Sequence, residues 1–152
     1  MKQPKYVWVL IENNYQGYAQ RKMPLGCFGS VKRAMEHVYN MISFGKSVTV
    51  TKQGMLCDKI TRENDEFLLF KSYIGTGINL PKSIYVVTDY RNIVSTTLKL
   101  SEAFKWFNVV NKFSNAKTYV DFCPGKYWTF GQTKPRSLNY YQFSVQKMEV
   151  YK

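Results

Sequence analysis

Ser83-Ile84-Tyr85-Val86-Val87-Thr88 opens a stretch, running to Tyr151, that reads as a second, shortened copy of Lys5 to Tyr73. The first copy opens in the same way, on Tyr6-Val7-Trp8-Val9-Leu10-Ile11. An amphipathic helix follows each opening strand, over about Val31 to Phe44 and about Leu98 to Phe113. Then come a strand (Ser47 to Lys52; Thr118 to Cys123), a Gly turn (Gln53-Gly54; Pro124-Gly125) and further strand-like segments (Glu66 to Ser72; Asn139 to Tyr151). This self-similarity predicts an α+β fold of two tandem β-α-β-β-β modules made by internal duplication, with helices packed on a mainly antiparallel sheet. Residues 1–74 form the first module and 83–152 the second. Between them 75–82, punctuated by Gly75, Gly77 and Pro81, reads as a connector. A module of about 70 residues buries little apolar surface by itself, so the two are expected to share one compact body.

Local signals fill in the first copy. The unbroken apolar run Tyr6 to Ile11 predicts a strand covered on both faces. Asn13-Asn14-Tyr15-Gln16-Gly17 turns the chain, and Tyr18 to Met23 returns as a second strand that ends before Pro24. Ser30 can cap a helix, because its hydroxyl accepts an otherwise orphaned N–H of the first turn. Val31, Ala34, Met35, Val38, Met41 and Ile42 recur at helical spacing and predict the buried face. Gly45 suits the left-handed residue after a helix. Val48 and Val50, alternating with Thr49 and Thr51, read as a half-buried strand. In the second copy Leu100, Ala103, Phe104, Phe107 and Val110 form the matching face, with Thr97 or Ser101 as cap.

The 152 residues carry a net charge of +12, from 17 Lys and 5 Arg against 10 acids, together with 12 Tyr, 10 Phe and 3 Trp. Charge of that size bears on partners and solubility rather than on fold: it attracts phosphate, or it is a Lys-rich solvated surface. No apolar run approaches the roughly 20 residues of a membrane span, and the six after Lys5 are too short for a secretory core. Three cysteines, Cys27, Cys57 and Cys123, cannot pair completely, which points to a reducing, cytoplasmic setting, the host cytoplasm if the chain is viral.

Catalytic chemistry finds little support. Phe44-Gly45-Lys46-Ser47 is similar to the end of a phosphate-binding loop, but Asn40 stands where the first Gly is required. The segment also follows a helix instead of opening one, so it reads as a helix exit. His37, the single histidine, sits beside the buried stripe with no declared partner and reads as structural. Cys57-Asp58 completes no zinc spacing, and Cys27 and Cys123 read as small core residues. Glu63-Asn64-Asp65-Glu66, the one acidic cluster, reads as a loop tip. No catalytic residue, metal or cofactor is expected.

Basic and aromatic residues interleave instead. Phe122 to Met148 holds Lys126, Lys134, Arg136 and Lys147 and no acid, among Tyr127, Trp128, Phe130, Tyr140, Tyr141 and Phe143. Asn13 to Met35 is likewise free of acids and holds Arg21, Lys22, Lys32 and Arg33. Alternate aromatics on strands belong to a core, yet Tyr140-Tyr141 puts one ring on each face. Cations beside outward rings suit single-stranded or structured nucleic acid, the cations on phosphates and the rings under bases. The predicted contacts are Arg21, Lys22, Lys126, Tyr127, Trp128, Lys134, Arg136, Tyr140, Tyr141 and Lys147.

Phe28-Gly29-Ser30-Val31-Lys32-Arg33-Ala34, with the strand and hairpin before it, resembles small modules encoded by bacteriophages and their hosts. The resemblance covers only this opening segment and implies no activity. The expected function is non-enzymatic nucleic-acid binding by a small basic protein of the phage-encoded kind. The alternatives are an inhibitor of an acidic host or defence protein, using the same rings as anchors, and a binder of small anionic nucleotides.

Overall fold

The computed structural model describes residues 2–16, 19–41, 48–52, 57–62, 65–89, 94–105, 118–123, 127–131 and 143–152. They are mainly sheet, with mixed strand directions and two short helices, an α+β arrangement. The chain divides into two compact units, Met1–Lys82 with Glu149–Lys152, and Ser83–Met148. The first contains β1 (Pro4–Gln16), β2 (Ala19–Phe28), α1 (Val31–Met41), β3 (Thr49–Lys52), β4 (Cys57–Arg62) and β5 (Asp65–Thr76). The second contains β6 (Ser83–Asp89), β7 (Val94–Thr97), a helix α2 described over 100–105, β8 (Thr118–Cys123) and β9 (Tyr127–Gly131). The last strand, β10 (Phe143–Tyr151), gives its first six residues to the second unit and its end to the first.

In the first unit the strands lie in the order β3-β4-β5-β1-β2, each pair antiparallel. The end of β10 adds in parallel, Val150 beside Cys27 and Tyr151 beside Phe28. Lying between β2 and β5, β1 has both of its backbone edges hydrogen-bonded. Val7, Val9, Leu10 and Ile11 are all at most 1% exposed, so the strand is covered on both faces at Leu10 and Ile11, whereas Tyr6 and Trp8 are only half-buried. Alternation sends Leu10 to the helix side, where it clusters with Phe28, Ala34, Val38, Ile60, Phe67 and Leu69. Burying a side chain of this size contributes about 1.5–3 kcal/mol.

Ser30 caps α1: the Arg33 N–H donates to its hydroxyl (3.2 Å) and the Ala34 N–H to its carbonyl (3.2 Å). Ala34 and Val38 are fully buried and Met35 half-buried, but Val31, expected on the same face, is exposed. A helical side chain leans toward the N-terminus, so a first-turn residue leans past the start of the helix.

Three strand expectations need correction. β2 does not end before Pro24. Leu10 pairs with Gly26 and Ile11 with Pro24, which leaves Leu25 as a bulge beside the residue that has no N–H, and the strand runs on to Phe28. β3 is exposed at all four positions, not half-buried, because it is the outermost strand of its unit; Val48, just before it, supplies the core contact. Glu66 is no loop tip, since it lies within β5 opposite Thr61, with Oε1 3.5 Å from Lys59 Nζ across the ladder.

The expected connector is also partly strand. β5 continues through Gly75 to Thr76, and Gly77 then turns the chain with φ 69°, its N–H bonded to Gln3 O (3.0 Å). A side chain at Gly77 would meet that of Lys2 at 2.8 Å.

In the second unit β6 pairs with β7, β8 with β9 and β9 with β10, all antiparallel, and β10 is also the neighbour of β6. Ile84, Val86, Val87, Ala103 and Val145 are buried. Leu98 lies outside α2 and is exposed, and the Glu102 and Ala103 N–H groups return to Lys99 O. The Thr97 hydroxyl donates to that same carbonyl (3.1 Å), so Thr97 is not the acceptor cap. Phe107, Val110 and the Phe44-Gly45-Lys46-Ser47 segment lie outside the described residues. Among the described residues a strand pair, and not a single strand, precedes each helix, which departs from the expected β-α-β-β-β order.

Core and surface positions of α1 and β1 should separate in an unfolding titration. Leu10→Ala is expected to lower stability by about 2–5 kcal/mol, whereas Val31→Ala should change it by less than about 0.5 kcal/mol. Equal midpoints for the two variants in urea would contradict this assignment of the core.

Candidate functional site

The register of β1 builds the site. Tyr6, Trp8 and Leu10 alternate onto one face of the strand. Leu10, opposite Leu69, lies in the cluster with Ala34 and Val38 of α1. Two residues back, Trp8 is opposite Lys71 on β5 and Phe28 on β2; two further back, Tyr6 is opposite Tyr73. The core therefore passes, along one strand face, into half-buried Trp8 and then into an open cluster of rings.

Within that cluster Lys71 Nζ stands 4.3 Å from the centroid of the Tyr6 ring and 5.9 Å from that of Trp8. Tyr6 and Tyr73 meet edge to face, with centroids 5.8 Å apart and planes at 66°. The Tyr73 hydroxyl is hydrogen-bonded to Thr76 Oγ1, which holds the ring upright at the strand end. Tyr73 is 53% exposed. A second ring group lies across β2, with Phe28 between Tyr151 (5.7 Å) and His37 (5.3 Å) and Tyr151 50% exposed. Each cation–ring contact at such open positions contributes about 0.5–1 kcal/mol.

The end of β10 is anchored beside these rings by hydrogen bonds of its backbone, two to backbone groups and one to a side chain. The Gly29 N–H donates to Tyr151 O (2.8 Å), the Val150 N–H to Lys82 O (2.9 Å) and Arg33 Nε to Lys152 O (2.8 Å). A side chain at Gly29 would displace Leu80 Cδ1, 2.8 Å away, and would stand in ordinary contact with Lys152 Cα at 3.5 Å. Arg33 also reaches Glu36 at 3.2 Å, an exposed pair worth at most a few tenths of a kcal/mol.

His37 packs on Phe28, in keeping with a structural role. Burial pushes the Cys27 thiol up to about 12, only partly offset by a hydrogen bond from the Phe28 backbone, so it carries almost no thiolate at neutral pH. Cys57 is half-buried, with Sγ 3.9 Å from Asp58 O. Among the described residues no group of three metal-binding side chains comes together, and no helix is long and apolar enough to cross a membrane.

The residues expected to bind are distributed as follows. Arg21 and Lys22 lie on β2, registered opposite Asn14 and Asn13. On β9, Tyr127 is registered with Gln146 of β10 and Cys123 of β8, and Trp128 with buried Val145 and with Asp121. Lys147, on β10, is exposed, with Nζ 6.0 Å from the Tyr85 ring. Thus Tyr127 and Trp128 lie in the β9–β10 ladder of the second unit and Lys147 follows its last paired residue on β10, while Arg21 and Lys22 belong to the first unit. Lys126, Lys134, Arg136, Tyr140 and Tyr141 lie outside the described residues. Sequence reasoning missed Tyr6, Trp8, Lys71 and Tyr73. The available signal was the alternation Lys71-Ser72-Tyr73, which resembles an ordinary strand end until β5 is paired with β1.

Comparison of the chain with protein-family models, with curated proteins and with solved structures finds no match.

Thiol chemistry provides a check on these assignments. At pH 8 iodoacetamide should modify Cys57 well ahead of Cys27, as read by peptide mass mapping, with denaturant needed to open Cys27. The unfolded thiol ionises from about pH 9 while the folded one holds its proton to about 12. The unfolded chain then binds fewer protons, so Cys27 lowers stability as pH rises from 9 toward 12. The parent should lose more stability over that window than Cys27→Ala; parallel losses would place the thiol in water.

Proposed function

We propose that this is a non-enzymatic, strongly basic protein that binds nucleic acid through Lys and Arg charge and solvent-facing rings. The observation that carries the reading is the ammonium of Lys71 set among Tyr6, Trp8 and Tyr73 at the open end of a strand face, in a chain of net charge +12. Charge brings phosphate to the surface and makes binding depend steeply on salt. A base stacked on an aromatic ring is worth about 1–3 kcal/mol, more than the cation–ring contact it would displace. Lys147 over Tyr85 repeats the pairing of cation and ring in the second unit. In this proposal the basic residues singled out in sequence, Arg21, Lys22, Lys126, Lys134 and Arg136, are further phosphate contacts, with Tyr127, Trp128, Tyr140 and Tyr141 as further stacking positions.

The internal duplication belongs to this reading. The two units share the element order β-β-α-β-β-β, and their strand orders correspond, β2-β1-β5-β4-β3 and β7-β6-β10-β9-β8. Two copies of a binding module on one chain would contact a longer stretch of polymer than either copy alone. A cytoplasmic setting, that of a host cell for a phage-encoded protein, completes the proposal.

Binding to labelled oligonucleotides, followed by anisotropy, tests it. Neutralising about four phosphates would weaken affinity about a hundredfold between about 50 and 200 mM salt. Lys134→Ala with Arg136→Ala should lower the salt slope by about two. No binding at low salt, together with nuclease-resistant capture of a single acidic protein, would replace this reading with that of an inhibitor.

A further inference from the structure

We infer that the β1–β5 ring cluster is a stacking site for unpaired bases, and that Lys71 is its displaceable occupant, leaving the Tyr6 ring to pair with a phosphate when a base arrives. The inference rests on the nucleic-acid reading above and specifies its ligand as single-stranded.

Three observations lead there. The Tyr6 ring is half-buried, and its partner Tyr73 is more than half exposed, so two ring surfaces are presented at one strand end. Bases in a duplex stack on one another and leave no face for these rings, whereas an unpaired base has two. Lys71 Nζ lies 4.3 Å over the Tyr6 ring, where the base would stack, on a side chain with four rotatable carbons. Moving the ammonium from ring to phosphate exchanges a weak contact for a charge pair and frees the ring in the same step.

Charge locates the site at β1–β5 and not at Tyr151. Lys2 packs at the Gly77 turn just beyond Tyr73 and Thr76, which supplies a second cation on that side. Beside Tyr151, by contrast, the cations Arg33 and Lys152 are offset by acids, Arg33 being engaged by Glu36 and Glu149 lying two residues back from Tyr151 on the same face of β10. A polyanion is therefore favoured at the Lys71 end of the row. An acidic peptide would also be drawn to the cations, but it brings no flat π-face to the exposed Tyr73 ring.

The experiment compares oligo(dT) with a duplex of equal length, using the full chain. Tyr73→Ala should weaken oligo(dT) binding roughly 5- to 150-fold, and Tyr73→Phe, which keeps the ring, should restore it. Duplex binding should respond to neither substitution. Lys71→Met should reduce the salt slope for oligo(dT) by about one. Ultraviolet cross-linking with mass mapping should place adducts on Tyr6, Trp8 or Tyr73. Unchanged thermal melts will show that the variants fold. If the parent binds with steep salt dependence but Tyr73→Ala binds oligo(dT) equally well, the stacking site is wrong and the general reading stands. If no nucleic acid binds the parent, both are wrong. If Tyr73→Ala instead abolishes capture of one protein from nuclease-treated lysate, the ring cluster is a protein-binding surface.

Discussion

The register between β1 and β5 is the constraint on which the described surface depends. Side chains alternate along a strand, so a slip of one residue would turn Tyr6 and Trp8 to the opposite face and bring Val7 and Val9 to theirs. The hydrophobic pattern opposes that slip, because Leu10 and Leu69 must both face α1 while Val7, Val9 and Ile11 must all be covered on the other side. The same unbroken register sets Tyr73 opposite Tyr6, and a bulge at Ile74 then shifts the ladder so that Gly75, and not Ile74, lies opposite Lys5. Ile74 is itself buried, so this bulge satisfies the core and the surface together.

The same strand face thus serves two purposes in sequence. Near its middle, Leu10 and Phe28 are sealed beneath α1. Toward its start the helix no longer covers it, and the residues change from aliphatic to aromatic. Tyr and Trp suit that border because each has an apolar body for the core and a polar or π-rich part for water. Lys71 fits the same logic, its stem lying along the rings while its ammonium keeps a partner. The closing contacts of the C-terminal segment, through Gly29, Arg33 and Lys82, hold Tyr151 against Phe28 and extend the aromatic row across β2.

Much of the fold was legible in local chemistry. The apolar run of β1, the Ser30 cap, the buried positions Ala34 and Val38, and burial of Cys27 all follow from side-chain type and spacing. The errors have equally specific origins. Pro24 reads as a strand terminator because the bulge that accommodates it depends on which residue of β1 stands opposite. Val31 satisfies helical periodicity but stands at the start of the helix, where it is 43% exposed. Val50 alternates correctly in a strand that turned out to be an edge. Glu66 resembles a turn acid until Lys59 is placed beside it. In each case a pattern within one segment was correct, and the neighbouring segment decided the outcome.

The candidate site shows the same division. Composition by itself determined that this chain is basic, rich in aromatics and poor in the residues of acid–base and metal chemistry, because those properties are sums over the chain. Only the tertiary structure decided that Tyr6, Trp8, Lys71 and Tyr73 form one cluster: the first two lie more than sixty positions from the last two in the chain, and backbone hydrogen bonds between β1 and β5 bring them together. A ring becomes a surface or a core element according to what covers it, and that cover is supplied by a distant segment.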